Sequence, residues 1–155
     1  MGKTYLGIDP GQFGGCAFIR DDVVTVYDCP GTFYEMRDIV LLMIGMSETV
    51  VATIEKVNPF FKSSAKAAFT FGGNYSAWRM LLTCYDIPYT EVAPRIWQKT
   101  VYDSAKKLID PKKTSYEMAC KLYPQMRESF KTKRGKILDG RTDSVLIARY
   151  CQMVN

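Results

Sequence analysis

The chain has 155 residues, the length of one domain of ordinary size. Its apolar fraction of 47% and charged fraction of 24% are typical of a globular protein, and they exclude a mainly disordered, collagen-like or coiled-coil chain. The net charge of +5 is unevenly distributed, since Lys106 to Lys136 contain ten Lys or Arg against three Asp or Glu. Such a segment indicates either a polyanionic partner, most often nucleic acid, or a solvated surface with a flexible loop. We expect a single domain over residues 1–155.

Several absences narrow the chemistry further. The chain has no histidine, which excludes Ser-His-Asp and Cys-His catalysis and His-ligated zinc. Its five cysteines form no CxxC pair, so we expect reduced thiols. The most apolar stretch, Ile39 to Ile54, is shorter than the roughly 20 residues of a membrane-spanning helix. The N-terminus has no apolar signal region, and we expect a cytoplasmic protein without membrane contact.

The first third of the chain predicts a meander of three strands followed by a helix and a fourth strand. The first three strands are separated by short turns, first an Asp-Pro-Gly turn at residues 9–11 and then an Asp-Asp turn at residues 21–22. Such short connections favour antiparallel pairing. The helix begins at a capping box, with Thr32 as N-cap and Glu35 three residues later. The predicted strands are Thr4–Asp9, Gly14–Arg20, Val23–Tyr27 and Thr49–Glu55, and the helix extends to about Met46.

The remaining elements complete an α/β pattern with a mixed sheet of five strands, three antiparallel and two parallel, flanked by helices. Residues 58–73 look irregular, and residues 128–138, which are basic and poor in apolar side chains, look like a mobile loop. The other predictions are helices over 74–84, 113–123 and 141–153, a strand over 88–92, and a short helical or irregular stretch over 94–102.

Four acidic residues occur at informative places in this pattern. Asp9 ends the first strand and Glu55 ends the fourth, so the two meet if these strands are neighbours in the sheet. Asp139 and Asp143 are four residues apart at the start of the last helix, on one face. Four converging carboxylates need cations, and hard oxygen ligands suit Mg²⁺ or Mn²⁺. Two such ions can activate a water and stabilise the leaving oxygen at a phosphodiester.

Each of these residues also has a purely structural explanation. Asp9 fits a turn residue, Glu55 a solvated strand end, Asp139 a charge at a helix N-terminus and Asp143 an exposed helical face. The glycines of segment 11–15 allow backbone amides to approach a phosphate, but an ordinary hairpin turn explains them as well. It is the joint placement of the four carboxylates that favours a site.

The sequence resembles the RuvC family of Holliday junction resolvases within the RNase H-like superfamily, in particular its phage and plant-chloroplast branch. The resemblance covers nearly the whole chain and ends in a specific DGRxDxxLIAxY pattern, in which the acidic residues are four apart as in that branch. The matching segments are LGIDPG (6–11), ATIEKV (52–57), FTFGGNY (69–75), IPYTEVAPRIWQKTV (87–101), KKTSYEMACKLYP (112–124) and DGRTDSVLIARY (139–150).

The resemblance implies an RNase H-like fold and a site that holds two Mg²⁺ ions, with Mn²⁺ as a substitute. Asp9, Glu55, Asp139 and Asp143 map onto its metal ligands. The family also uses lysines near the scissile phosphate, for which the candidates are Lys99 and Lys113, followed by Arg95 and Lys112. Of these, Lys113 is the one that we predict to be catalytic. The DNA-binding residues that we predict are basic or aromatic. They are Lys62, Lys66, Phe71, Tyr75, Arg95, Lys99, Lys112, Lys113, Lys133 and Arg134, with Phe69 as a further aromatic that could stack on unpaired bases.

The family further implies a homodimer that cuts a four-way junction with paired nicks, leaving 5′-phosphate and 3′-hydroxyl ends. The helix around Tyr75–Leu82 is one candidate for the dimer interface, and packing within the chain explains it equally well. No nucleotide cofactor is expected. The alternatives are a nuclease for forks, flaps or RNA–DNA hybrids, and a junction-binding module without activity. A nucleotide phosphotransferase ranks last, because the chain lacks a second lobe to enclose ATP.

Overall fold

The computed structural model describes residues 2–56, 64–102 and 110–155. Strands and helices alternate over most of this part of the chain, and a 3₁₀ helix precedes the last α-helix. The strands are β1 (Lys3–Asp9), β2 (Gly15–Arg20), β3 (Val23–Asp28), β4 (Thr49–Glu55) and β5 (Tyr89–Val92). The helices are α1 (Phe33–Met46), α2 (Ala65–Cys84), α3 (Pro94–Tyr102), α4 (Pro111–Leu122), the 3₁₀ helix (Pro124–Phe130) and α5 (Asp139–Val154).

The five strands form one mixed sheet in the order β3-β2-β1-β4-β5. The pairs β1–β2 and β2–β3 are antiparallel, whereas β1–β4 and β4–β5 are parallel. Strands β2 and β3 are joined by Asp21 and Asp22, both with positive φ, as a two-residue hairpin turn of matching twist requires. The predicted fold class, a five-stranded mixed sheet flanked by helices, is confirmed.

Helices cover both faces of the sheet. On one face, α1 and α2 bury Met36, Val40 and Trp78 against Leu6 and Ile8 of β1. The capping box of α1 forms as predicted, since the Thr32 hydroxyl accepts from the backbone amide of Glu35 and the Glu35 carboxylate accepts from that of Thr32. The two layers bury the central strand β1 from both sides, as expected for strands that read as continuous apolar runs.

On the other face, α5 packs across β1 and β2, with α3 and α4 beside it. Close approach of α5 to β1 depends on Gly7, because a Cβ at this position would collide with the backbone of Ser144 and Ala148. The buried run Val145–Ala148 supplies the apolar contacts. This packing fixes the start of α5 next to the carboxyl end of β1.

Two predictions of irregular structure are wrong. Of the stretch 58–73, residues 58–63 lie outside the described residues, and residues 65–73 belong to α2. This helix begins with Ser64 as N-cap, whose hydroxyl accepts from the amide of Ala67. The stretch 128–138 is not an irregular loop: it contains the end of the 3₁₀ helix and a turn closed by a bridge between Lys131 and Ile137. Fully buried Phe130 anchors this stretch to the core, which explains its order despite its charge.

No helix in the described ranges has both the length and the apolar character needed to cross a membrane. The five cysteines are free thiols, three of them buried.

Candidate active site

The register of β1 and β4 brings the first two predicted carboxylates together. Ile8 pairs with Ile54 in this parallel pair, so the next residues, Asp9 and Glu55, end neighbouring strands at the same edge of the sheet. Asp9 is half-buried and its Oδ1 accepts from the backbone amide of Gly11 at 3.0 Å. Burial raises the pKa of Asp9 to about 6. The Gly11 hydrogen bond lowers this pKa, and the charge of Asp139 raises it further.

Glu55 is buried and makes a hydrogen bond that the sequence does not predict. The indole Nε1 of Trp97, which is fully buried on α3, donates to Glu55 Oε1 at 2.8 Å. Burial raises the pKa of Glu55 to about 8, and the charges of Asp9 and Asp143 act in the same direction. The Trp97 hydrogen bond opposes these effects because it stabilises the carboxylate form.

Helix α5 contributes the other two carboxylates from its first two turns. Its first turn lies against the β1–β2 turn, where a Cβ at Gly140 would collide with the carbonyl oxygens of Phe13 and Gly14. Burial raises the pKa of Asp143 to about 7; a hydrogen bond from Ser115 lowers it, and the charges of Asp9 and Asp139 raise it. The Asp143 Oδ1 atom is buried and makes no hydrogen bond to the described residues.

The structure therefore brings the four predicted carboxylates to one place, where their charges act on one another. As arranged, no group of three His, Cys, Asp or Glu side chains in the described ranges could hold a metal ion. Each of the four has a protein donor: the Gly11 amide for Asp9, Trp97 for Glu55, Ser115 for Asp143, and Lys112 for Asp139, with Lys112 Nζ 2.7 Å from Asp139 Oδ2. The donor set still fits a hard divalent cation, because the oxygens are carboxylates and one of them is buried without a partner. Metal ligation by these residues stays a prediction.

The lysines predicted near the site separate into two environments. Lys112 contacts Asp139, and this hydrogen bond and charge raise the pKa of its ammonium group. Lys113 is the predicted catalytic lysine, and its Nζ instead lies 3.9 Å from Oε1 of Glu117, one turn further along α4. Both line an open cavity that Asp139 also lines. The contact with the carboxylates is thus made by Lys112, which the family pattern offers only after Lys99 and Lys113.

The other predicted DNA-binding residues lie outside the carboxylate cluster. Phe71 and Tyr75 stack on each other on α2, with ring centroids 5.9 Å apart, and are half-buried. The basic ones described are exposed: Lys66 on α2, Arg95 and Lys99 on α3, and Lys133 and Arg134 on the turn before α5. Lys62 lies outside the described residues.

The sequence did not single out Trp97 or Phe13. A buried tryptophan usually finds an acceptor for its N–H, but no spacing indicates which one, so this signal could not have pointed to Glu55. Phe13 is 84% exposed in the turn between β1 and β2, and an aromatic residue within a glycine-rich turn was a visible signal. In this turn the Gly11 amide donates to Asp9 Oδ1 and the Gly14 amide donates to the Gly11 carbonyl. These contacts agree with the explanation of the glycines as part of an ordinary hairpin turn.

No protein-family model matches the chain, and no curated protein matches it. Among solved structures it is similar to RuvC of Thermus thermophilus in complex with a Holliday junction substrate, with 13% identity and a TM-score of 0.65 over 95% of this chain and 91% of that one. A second structure of Thermus thermophilus RuvC matches with 11% identity and a TM-score of 0.61 over 98% and 96%. The chain thus has the fold of the RuvC Holliday junction resolvases, as the sequence resemblance predicts.

Proposed function

We propose that this chain is a divalent-metal-dependent DNA endonuclease that resolves four-way junctions by paired nicks. The observation that carries the proposal is the convergence of Asp9, Glu55, Asp139 and Asp143 at one edge of a sheet with the RuvC fold. A Thermus RuvC of this fold is described in complex with a Holliday junction, which supports branched DNA as the substrate.

Burial, and to a lesser degree the neighbouring carboxylates, raise the pKa values of Asp9, Glu55 and Asp143, so bound cations would stabilise their ionised forms. The four carboxylates would hold two Mg²⁺ ions, or Mn²⁺ in their place. When bound, such ions supply Lewis-acid activation of water and stabilisation of the departing 3′ oxygen, so the ends are 5′-phosphate and 3′-hydroxyl.

The chain's own groups orient the cluster and bind the strand. Trp97 and the Gly11 amide each fix one carboxylate oxygen, which limits the rotation of Glu55 and Asp9. Lys112 lies beside Asp139 and is available to a phosphate once a cation takes over that carboxylate. Exposed basic residues of α2, α3 and the turn before α5 bind the backbone of the arms.

Paired nicks require two copies of the site, and we include a homodimer in the proposal. Within the described part of α2, Trp78 and Leu82 are buried in the chain's own core and are unavailable to a partner. Phe69 and Met80 are exposed on the same helix, 86% and 64% respectively, and are the apolar residues that a second copy could cover. Light scattering after size exclusion should give twice the mass of the 17.6 kDa chain.

The test is cleavage of a labelled four-way junction, a fork, a flap, an RNA–DNA hybrid and a matched linear duplex, with Mg²⁺, Mn²⁺ or EDTA. Paired, metal-dependent nicks near the crossover with an intact duplex are expected. Asp9→Asn should bind the junction but not cut it. Asp22→Asn, the same chemical change at the exposed β2–β3 turn, should cut like the wild type.

Each alternative gives a different outcome. Equal cutting of forks and flaps would replace the proposal with a general debranching nuclease. Junction binding without cutting in either metal would leave a binding module. Wild-type cleavage by Asp9→Asn would overturn the role of the carboxylate cluster.

A further inference from the structure

A cavity of about 600 Å³ lies between α4 and the turn that precedes α5. Four of the residues that line it are lysines: Lys112 and Lys113 of α4, and Lys131 and Lys136 of the turn. Asp139 also lines it, so the cavity is continuous with the carboxylate cluster. The cavity therefore places four ammonium groups next to the candidate active site.

The turn that forms one wall has a fixed backbone. Lys131 and Ile137 are bridged as in a hairpin, and the Thr132 amide donates to the Lys136 carbonyl at 2.8 Å. The Thr132 hydroxyl accepts from the Lys136 amide at 3.1 Å, and Gly135 provides the positive φ of 80° that the reversal needs. The turn therefore presents its lysines from a defined position, which lowers the entropy cost of binding an anion.

The lysines of the two walls differ in their partners. Those of α4 are already paired, Lys112 with Asp139 and Lys113 with Glu117. Neither Lys131 nor Lys136 forms a salt bridge within the described ranges; Lys131 Nζ lies 4.5 Å from the centre of the Tyr116 ring instead. Three acidic residues also line the cavity: Glu117 and Asp139, which are the partners of the two α4 lysines, and Asp110, which caps the start of α4. The two ammonium groups of the turn have no carboxylate partner of their own within the described ranges and therefore favour an anion there.

We infer that this cavity binds a backbone phosphate of the same DNA strand that enters the carboxylate cluster, with Lys131 and Lys136 as its ligands. The inference rests on the proposed function and extends it, because it names where the strand continues beyond the cut. A polymer fits better than a free anion, since Asp139 joins the cavity to the cluster and exposed Lys133 and Arg134 extend the positive surface outward.

The experiment measures DNA binding in EDTA by fluorescence anisotropy, so that cleavage plays no part. The probes are a junction and a linear duplex, each titrated between 50 and 200 mM salt. Each lysine–phosphate contact contributes about 0.9 to the slope of log affinity against log salt. Lys131→Ala combined with Lys136→Ala should lower the slope by about 1–2 and shrink the affinity change over this range by roughly 4- to 16-fold.

Two variants serve as controls. Lys121→Ala removes an exposed lysine of α4 that does not line the cavity, and it should keep the wild-type slope. Lys131→Arg combined with Lys136→Arg keeps both charges and should restore the slope. Circular dichroism and thermal unfolding of each variant report whether the fold is intact.

An unchanged slope in the double alanine variant, or no DNA binding by the wild type, overturns the inference. A second outcome also overturns it: the wild type binds inorganic pyrophosphate, the double alanine variant does not, and the salt slope for DNA is the same in both. The cavity would then be a small-anion site. A wild type that never cuts junctions, but whose salt slope depends on Lys131 and Lys136, would overturn the proposed nuclease and leave the cavity assignment standing.

Discussion

Replacing Glu55 with glutamine should stabilise the metal-free protein, and increasingly so as the pH rises. Glutamine keeps the acceptor for the Trp97 Nε1 hydrogen bond and nearly the same shape, but it carries no charge. In the wild type, burial and the charge of Asp9 raise the pKa of Glu55 from 4.5 to about 8. The native state therefore binds a proton between these two pH values that the unfolded chain has already lost, and wild-type stability falls as the pH rises through that window.

The size of the effect follows from the pKa difference. One pKa unit corresponds to about 1.4 kcal/mol, so the contribution of Glu55 to unfolding changes by about 2–3 kcal/mol between pH 5 and pH 7. The amide hydrogens of the glutamine add a cost that does not depend on pH. The informative quantity is therefore how much the stability difference between Glu55→Gln and the wild type increases from pH 5 to pH 7. For a chain of this length, that increase corresponds to roughly 4–10 °C in melting temperature.

The assay is thermal and urea unfolding at pH 5, 6, 7 and 8 in EDTA, so that no cation compensates the cluster. Glu117→Gln is the matched control, because the Glu117 side chain is 63% exposed and its loss should change stability almost equally at every pH. A Glu55→Gln difference that stays constant from pH 5 to pH 8, or declines, would refute the reasoning that burial of this carboxyl opposes folding.

Three further predictions concern the elements that hold the site. Gly7→Ala should lower the free energy of unfolding by about 1–3 kcal/mol, since a Cβ there collides with the backbone of α5; wild-type urea unfolding would contradict this. Trp97→Phe removes the donor to Glu55 and should cost about 1–3 kcal/mol, with a larger loss of melting temperature at pH 8 than at pH 5. Arg141 donates to both carboxylate oxygens of Asp28 at 2.6 and 2.8 Å and lowers the pKa of Asp28, so the stability that this pair contributes is lost as the pH falls. Arg141→Gln should therefore make the free energy of unfolding less dependent on pH below pH 5. An unchanged pH profile of unfolding would exclude this contribution of the pair.

Most of the sheet could be predicted from the sequence because its signals are local. Runs of apolar and β-branched residues, the Asp21-Asp22 turn and the capping box at Thr32 each act within a few residues. The meeting of Asp9 and Glu55 required one further assumption, that β1 and β4 are parallel neighbours, and their register confirms it.

The predictions that were wrong depend on distant contacts. The N-terminal half of α2 contains Gly72 and Gly73, which weaken the local helical signal, and only the structure shows that the helix continues through them. The stretch before α5 looked mobile because it is basic, yet burial of Phe130 fixes it. The Trp97 and Lys112 contacts with the carboxylates arise from the packing of α3 and α4 beside α5, which no sequence spacing encodes.

The way α5 packs across β1 also determines when the carboxylate cluster can exist during folding. The pairings within the β1–β2–β3 meander are short-range in sequence and can form early, but the meander contains Asp9 alone of the four carboxylates. Asp139 and Asp143 reach Asp9 only after α5 docks on β1 through contacts between opposite ends of the described chain. A partly folded chain therefore has an incomplete cluster, and any metal site that these carboxylates form exists only once α5 has docked.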